Sequence, residues 1–194
     1  RRGGPKSLPS SLPGSGIRTA RRRAGACSHD GRPHRALDPG QRVDPAALVD
    51  AFTRLAEATG RARWIAEARA TADALVERFH DPESGGFFTT GSDGEQLVAR
   101  SKDLLDNATP AANTLAAVSL LRLHALTGVN RYRVHAEEVL RLLGPVPGQH
   151  PTALANLLAA VDLLDAGITE IAVVGDAPEL VAAVHQRYLP TAVL

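Results

Sequence analysis

From Asp44 onward, apolar side chains recur at the three- and four-residue spacing of α-helices. Asp44 is a favourable N-cap and Pro45 suits the first helical position, which predicts a helix that ends at Thr59-Gly60. A second helix should stop at Asp81-Pro82, because the residue before proline disfavours helical geometry. Three further helices are predicted: from Thr109-Pro110 to about Leu126, from Asn130 as its cap to Leu143, and from near Pro151 with Leu154, Leu157, Leu158, Val161 and Leu164 buried.

The first four predicted helices form two similar pairs. The positions Leu55, Thr59-Gly60, Arg63-Trp64 and Ala68 recur as Leu123, Thr127-Gly128, Arg131-Tyr132 and Ala136, at a constant offset of 68 residues. Each pair is predicted to be an αα-hairpin, in which the glycine ends the first helix and the aromatic residue seats the second.

The third predicted helix is apolar on almost every side, with Leu115, Val118, Leu120, Leu121, Leu123 and Leu126. A helix of this kind needs neighbours all round, as in the inner ring of an α/α toroid. We therefore predict an all-α fold, a partial α/α toroid over residues 43–194 built of αα-hairpin repeats. Five helices leave its seams open, so further hairpins are expected as partners.

Two short β elements are predicted beside the helices. The segment Gly85–Arg100, with a turn at Gly91–Gly94, has the pattern of a β-hairpin insert. Near the C-terminus, Ile171, Val173 and Val174 predict a strand, a helix follows through Tyr188, and Ala192–Leu194 completes a β-α-β appendage. The sequence VVGD lacks the remaining glycines of a dinucleotide-binding motif, so a nucleotide site is not supported.

The charge is divided unevenly along the chain. Residues 1–42 hold 10 of the 22 basic side chains and 2 of the 21 acidic ones, whereas the rest of the chain is net acidic. This stretch is rich in glycine, proline and serine, which predicts a disordered basic tail, either native or the product of a wrongly placed start. Because it has no aromatic side chain and the remainder is acidic, nucleic-acid binding is not expected.

Several classes of site are excluded by what the sequence lacks. Cys27 is the only cysteine, so an intrachain disulfide and a CxxC redox centre are ruled out. The seven histidines form neither an HxH nor an HExxH pattern, and no GxSxG motif is present. No apolar run approaches the length of a membrane span. We expect a cytoplasmic protein without a metal or cofactor.

The polar segment 100–113, at the start of the third helix, is the candidate site. Free N–H groups at the end of an inner helix favour an anionic or hydroxyl-rich ligand. Asp103 and Asp106 are candidate catalytic residues of split pKa, or contacts to sugar hydroxyls; the candidate ligand-binding residues are Arg100, Lys102, Asn107, Thr109 and Asn113. The alternative is structural: Asp106 and Thr109 cap the helix, and Lys102 pairs with Asp103. Asn113 should be buried and needs partners, for which this segment is the nearest source.

These same residues resemble a known family. The segment Gly85–Phe88, then Arg100, Lys102-Asp103, Asp106–Pro110 and Asn113, together with Ile171–Leu180 and Arg187–Pro190, is similar to the C-terminal half of thioredoxin-domain proteins related to spermatogenesis-associated protein 20. The resemblance implies an N-terminal thioredoxin-like domain followed by an α/α toroid similar to N-acylglucosamine 2-epimerases and six-hairpin glycosidases. It identifies the chain as a truncated bacterial member. The family's Ser-Gly-Asn-Ser is here Ala111-Ala112-Asn113-Thr114.

Two functions follow as hypotheses. In the first, the toroid portion binds or processes a carbohydrate-like small molecule at segment 100–113, and its partners are the missing thioredoxin domain and the remaining hairpins. In the second, the same portion is a non-catalytic helical scaffold for the thioredoxin domain and its clients. The sequence leaves open whether the protein is an enzyme.

Overall fold

Six helices and a two-stranded sheet make up the structured elements of the described chain. The computed structural model describes residues 44–94, 99–144 and 151–194. The helices are α1 (Pro45–Thr59), α2 (Ala62–Phe79), α3 (Ala112–Thr127), α4 (Asn130–Leu143), α5 (Ala155–Asp165) and α6 (Pro178–His185), with a 3-10 turn at Pro151–Leu154 and strands β1 (Thr169–Glu170) and β2 (Ala192–Val193). The predicted all-α class is confirmed.

Some predictions fall outside these ranges. The basic tail 1–42 and residues 96–98, which are part of the second arm (96–100) of the predicted β-hairpin, lie outside the described residues. Within the described ranges, no helix is long and apolar enough to cross a bilayer.

Local signals set the limits of the long helices. The Asp44 carboxylate accepts the Ala46 N–H at 2.9 Å and Pro45 is the first residue of α1, as predicted. Gly60 and Gly128 end α1 and α3 with φ angles of 61° and 68°, a region that glycine tolerates best. Their N–H groups donate to residues four positions earlier, at 2.8 and 2.7 Å. The two turns therefore have the same local geometry at positions 68 residues apart.

Helix α3 forms the centre of the core. It contacts α1, α2, α4, α5 and β2, so that neighbours lie on all of its sides. Ala116, Ala117, Leu120, Leu121 and Leu123 have no exposed surface. Because burial of apolar area is the main stabilising contribution to folding, this helix explains why the others pack where they do.

Arg122 is the buried charge on this helix. Its guanidinium donates to the Glu57 carboxylate on α1 at 2.6 Å and to the Ala192 carbonyl on β2 at 2.9 Å. A buried charge is stable only when it is paired and hydrogen-bonded. Arg122 therefore fixes the C-terminal strand against α1 and α3.

The buried face of α5 differs in part from the prediction. Leu154, Leu157 and Leu163 are buried as the core of this region, whereas Leu158 and Val161 are 41% and 43% exposed. The prediction that these two residues are buried is wrong for this chain. They lie one helical turn apart, on a side of α5 that the other described elements leave open.

The C-terminal segment has the predicted β-α-β order, but its first strand lies earlier. Thr169 and Glu170 pair in parallel with Ala192 and Val193, with α6 between the strands. Ile171 donates one N–H to the Val193 carbonyl, and the chain then leaves the sheet, so that Val174 is 91% exposed. The strand forms opposite the buried β2, and not at the most β-branched stretch.

The predicted β-hairpin insert does not form a strand in its described part. Phe87 forms an isolated antiparallel bridge with His80, and Thr89 donates its N–H to the Ser101 carbonyl at 2.8 Å. The physical reason is that the Phe87 N–H and carbonyl bind the side chain of Asn113. These two groups are therefore not free to pair with a second strand.

Candidate functional site

The N-termini of α1, α3 and α5 lie near one another at one end of the helices. Asp44 caps α1, Asp103 accepts the Ala112 N–H of α3 at 3.1 Å, and Asp106 contacts both α3 and α5. Burial raises the pKa of Asp44, and the nearby negative charge of Asp103 raises it further. Three carboxyl groups thus meet at the positive ends of three helices.

Asp106 connects two of these helices directly. Its Oδ1 accepts hydrogen bonds from the Ala111 N–H at 2.9 Å and the Thr114 hydroxyl at 2.5 Å. Its Oδ2 accepts the Asn156 N–H, in the first turn of α5, at 2.8 Å. Both oxygens of this carboxylate are therefore occupied by protein donors, as the capping interpretation of Asp106 requires.

Asp103 is more open than Asp106. Its side chain is exposed and accepts one N–H bond, from Ala112 through Oδ2. The predicted ion pair between Lys102 and Asp103 is wrong, because the Lys102 ammonium lies 2.8 Å from Asp81 instead. Thr109 was also predicted to cap α3; the helix begins at Ala112, and the capping bonds come from Asp103 and Asp106.

Asn113 is fully buried and holds the segment before α3 to the segment after α2. Its Oδ1 accepts the Phe87 N–H at 2.7 Å, and its Nδ2 donates to the carbonyls of Phe87 and Asp103, both at 2.8 Å. Gly86 makes this approach possible, since a Cβ there would lie 2.8 Å from Asn113 Oδ1. The prediction that Asn113 is buried is confirmed, and of its two partner residues Asp103 lies in segment 100–113 whereas Phe87 lies outside it.

Lys102 has a similar role at the other side of the same segment. Its ammonium donates to the Gly85 carbonyl at 2.5 Å and its side chain is only 12% exposed. The hydrogen bond from Lys102 lowers the pKa of Asp81 to about 2, with help from the Glu83 and Ser84 N–H groups. This cation is engaged within the protein and does not point toward Asp103.

Arg100 is likewise engaged within the protein. Its guanidinium donates to the backbone carbonyls of Thr90 and Arg78, and lies 4.1 Å above the centre of the Phe88 ring. Arg100, Lys102 and Asn113 therefore all fix the chain between Asp81 and Gly91. Asn107 and Thr109 are exposed further along, so that the structure does not gather the seven predicted residues around one point.

The structure also contains a cluster that the sequence analysis missed. His80 Nε2 and His135 Nδ1 lie 2.8 and 3.0 Å from the same oxygen, Oε2 of Glu138. Burial alone would raise the pKa of Glu138, but the hydrogen bonds from His135 and His80 outweigh it, and the pKa is lower than usual. The spacing His135-x-x-Glu138 on one helix is the signal that was available, whereas His80 comes from a distant part of the chain.

The chain is similar to three curated proteins over a 157-residue alignment that covers 78% of its length. Spermatogenesis-associated protein 20 is 30% identical in Mus musculus and 31% identical in Homo sapiens and in Rattus norvegicus. The chain is a homologue of spermatogenesis-associated protein 20. It spans 20% of the length of these relatives. No model of a known protein family matches the sequence.

Replacement of Asn113 by alanine tests its role as the link between the two segments. The buried N–H and carbonyl of Phe87 would each lose a partner, and an unsatisfied buried polar group costs about 1–3 kcal/mol. We expect Asn113→Ala to lower the free energy of unfolding in urea by about 3 kcal/mol. The matched control is Asn107→Ala, an exposed asparagine whose loss should cost less than about 0.5 kcal/mol. Equal effects of the two substitutions would contradict this role.

A second prediction concerns pH and Asp44. Because its pKa is raised in the folded state, its contribution to stability is greatest below the unfolded pKa, about 4, and is lost as the pH rises through the folded value. Asparagine keeps the acceptor for the Ala46 N–H without the charge. Asp44→Asn should therefore be more stable than the unchanged chain at pH 7, and this advantage should vanish near pH 3.

The control for this experiment is Asp44→Ala, which also removes the acceptor and should cost about 1 kcal/mol at pH 7. Thermal unfolding followed by circular dichroism between pH 3 and pH 7 measures both variants. The prediction would be contradicted by an Asp44→Asn variant that is less stable than the unchanged chain at neutral pH and equal to it in acid. That result would mean that the charge of Asp44 stabilises the folded state.

Proposed function

We propose that this chain supplies the toroid-type helical part of a longer protein of the spermatogenesis-associated protein 20 family, and that this part is a non-catalytic scaffold for a thioredoxin-like domain and its clients. The chain matches about a fifth of the length of its relatives, which is consistent with one part of a larger whole.

The observation that carries the proposal is the geometry of Asp106. A general acid or base must reach the proton that it transfers. Asp106 uses both oxygens to accept bonds from Ala111, Thr114 and Asn156, and so holds the starts of α3 and α5 together. Its carboxylate is best explained as a shared helix cap.

The exposed apolar residues support the same proposal. Leu158 and Val161 lie on one face of α5, and Leu180 and Leu189 are exposed in the C-terminal segment. Apolar surface of this kind is typical of a part that packs against further elements of the same protein. Additional hairpins of a toroid would cover the α5 face.

A second candidate function is binding of a carbohydrate-like ligand at the same end of the helices. The observation that favours it is the exposed carboxylate of Asp103 near Asp44, with Asn107 and Thr109 also exposed on the following residues. Carboxylate and amide groups are common hydrogen-bond partners of sugar hydroxyls. In this case Asp103 would be the principal contact, and Asp106 would position the segment.

The two candidates differ in what Asp106→Asn would change. Under the scaffold proposal, the amide group would face N–H donors, and the unfolding free energy should fall by about 2 kcal/mol. Titration calorimetry of the unchanged chain with aldoses and N-acetylhexosamines should give no saturable heat. The matched control is Asp165→Asn, an exposed aspartate at the end of α5, which should be neutral for stability.

Saturable heat with a sugar, lost in Asp103→Asn, would contradict the scaffold proposal and support ligand binding. An Asp106→Asn variant with the same unfolding free energy as the unchanged chain would show that the shared cap does not hold the two helices together. Each result is decided by unfolding and calorimetry on the same purified proteins.

A further inference from the structure

The strongest feature outside segment 100–113 is the cluster of His80, His135 and Glu138. His80 is the residue that follows α2, and the other two lie one turn apart on α4. The ligand-type atoms of the three side chains all lie within 4.8 Å of one another. We propose that this cluster binds a first-row divalent transition metal ion through two imidazoles and one carboxylate.

The residue types fit this chemistry. Imidazole nitrogen and carboxylate oxygen bind Zn²⁺ at about 2.0–2.2 Å, and catalytic zinc sites use three protein ligands and leave a position open. Two histidines and one carboxylate also form the ligand set of non-haem iron sites. The cluster thus presents three ligands of the kind that a zinc-class ion takes.

The spacing requires little movement. Glu138 Oε2 lies 2.8 Å from His80 Nε2 and 3.0 Å from His135 Nδ1. Around a tetrahedral ion with bonds of about 2 Å, neighbouring ligand atoms lie about 3.3 Å apart. The carboxylate oxygen would therefore separate from each imidazole nitrogen by only a few tenths of an ångström, and the two imidazole nitrogens already lie within 4.8 Å of each other.

The surroundings hold the rings in place. The two imidazoles are in edge contact, with centroids 4.5 Å apart, and the buried Phe87 ring lies 6.0 Å from that of His80 and 6.4 Å from that of His135. The antiparallel bridge between His80 and Phe87 fixes the backbone on one side. On the other, a Cβ at Gly85 would lie 3.3 Å from the Cβ of Glu138, so the chain approaches α4 closely.

The cluster is also accessible. The side chains of His80, His135 and Glu138 are 18%, 16% and 24% exposed, so the cluster lies partly at the protein surface. A site that is fixed by packing and open to solvent on one side meets the requirements for reversible binding of an ion.

The test uses the untagged 194-residue chain after treatment with a chelator, with Co²⁺ and Zn²⁺ as probes. Titration with Co²⁺ should give visible absorption bands that saturate at one ion per chain, and Zn²⁺ should displace it. Loss of an outer-shell partner costs about 10–100-fold in metal affinity, so His135→Ala and Glu138→Gln should each weaken binding at least that much. The control His185→Ala, an exposed histidine on α6, should bind as the unchanged chain does.

Far-UV circular dichroism of each variant checks that the fold persists. If His135→Ala fails to fold, His80→Gln provides the same test, because glutamine keeps a hydrogen bond to Glu138 and is a poor zinc ligand. Absence of saturation at one equivalent would overturn the proposal. The proposal would also be overturned if the His80, His135 and Glu138 variants bound the ion as tightly as the unchanged chain does. The cluster would then be a hydrogen-bonded network only.

Discussion

The constraint on which the rest of the structure depends is that α3 is apolar on almost every side. A helix with leucine and alanine around its whole circumference is stable only when other elements cover all of it. This cover comes from α1, α2, α4, α5 and β2. The buried charge of Arg122 is tolerated there because one terminal nitrogen of its guanidinium binds Glu57 and the Ala192 carbonyl, although Nε has no partner. The packing of this short chain is thus organised around one helix.

A consequence of this packing is that helix N-termini are brought together. Free N–H groups at these ends need acceptors, and the carboxylates of Asp44, Asp103 and Asp106 supply them. Asp106 serves α3 and α5 at once. The same polar residues that resemble a ligand site are therefore the groups that this arrangement of helices requires.

Much of the helical structure was predictable because its signals are local. The cap at Asp44 and the left-handed glycines Gly60 and Gly128 set helix ends through contacts within a few residues. The partners of Asn113 were also predictable in kind, since a buried amide in an apolar helix must find hydrogen bonds nearby.

The features that were missed depend on residues far apart in the chain. Lys102 pairs with Asp81 because the segment after α2 folds back over it, which no local pattern indicates. The His80 cluster, the exposed side of α5 and the true position of β1 likewise depend on which elements meet in space. Periodicity alone assigned both Leu157 and Leu158 to the core, although only Leu157 is buried and Leu158 is exposed.

The measurement that tests the central claim most directly is amide hydrogen exchange at Ala111 and Asn156, followed by NMR in the unchanged chain and in Asp106→Ala. The Ala111 N–H lies at the residue before α3 and the Asn156 N–H lies in the first turn of α5, and both donate to the Asp106 carboxylate. If Asp106 is the common cap of α3 and α5, both amides should lose protection together, while the Gly128 amide at the far end of α3 keeps its protection. Unchanged exchange at Ala111 and Asn156 would show that the starts of α3 and α5 are held independently of Asp106.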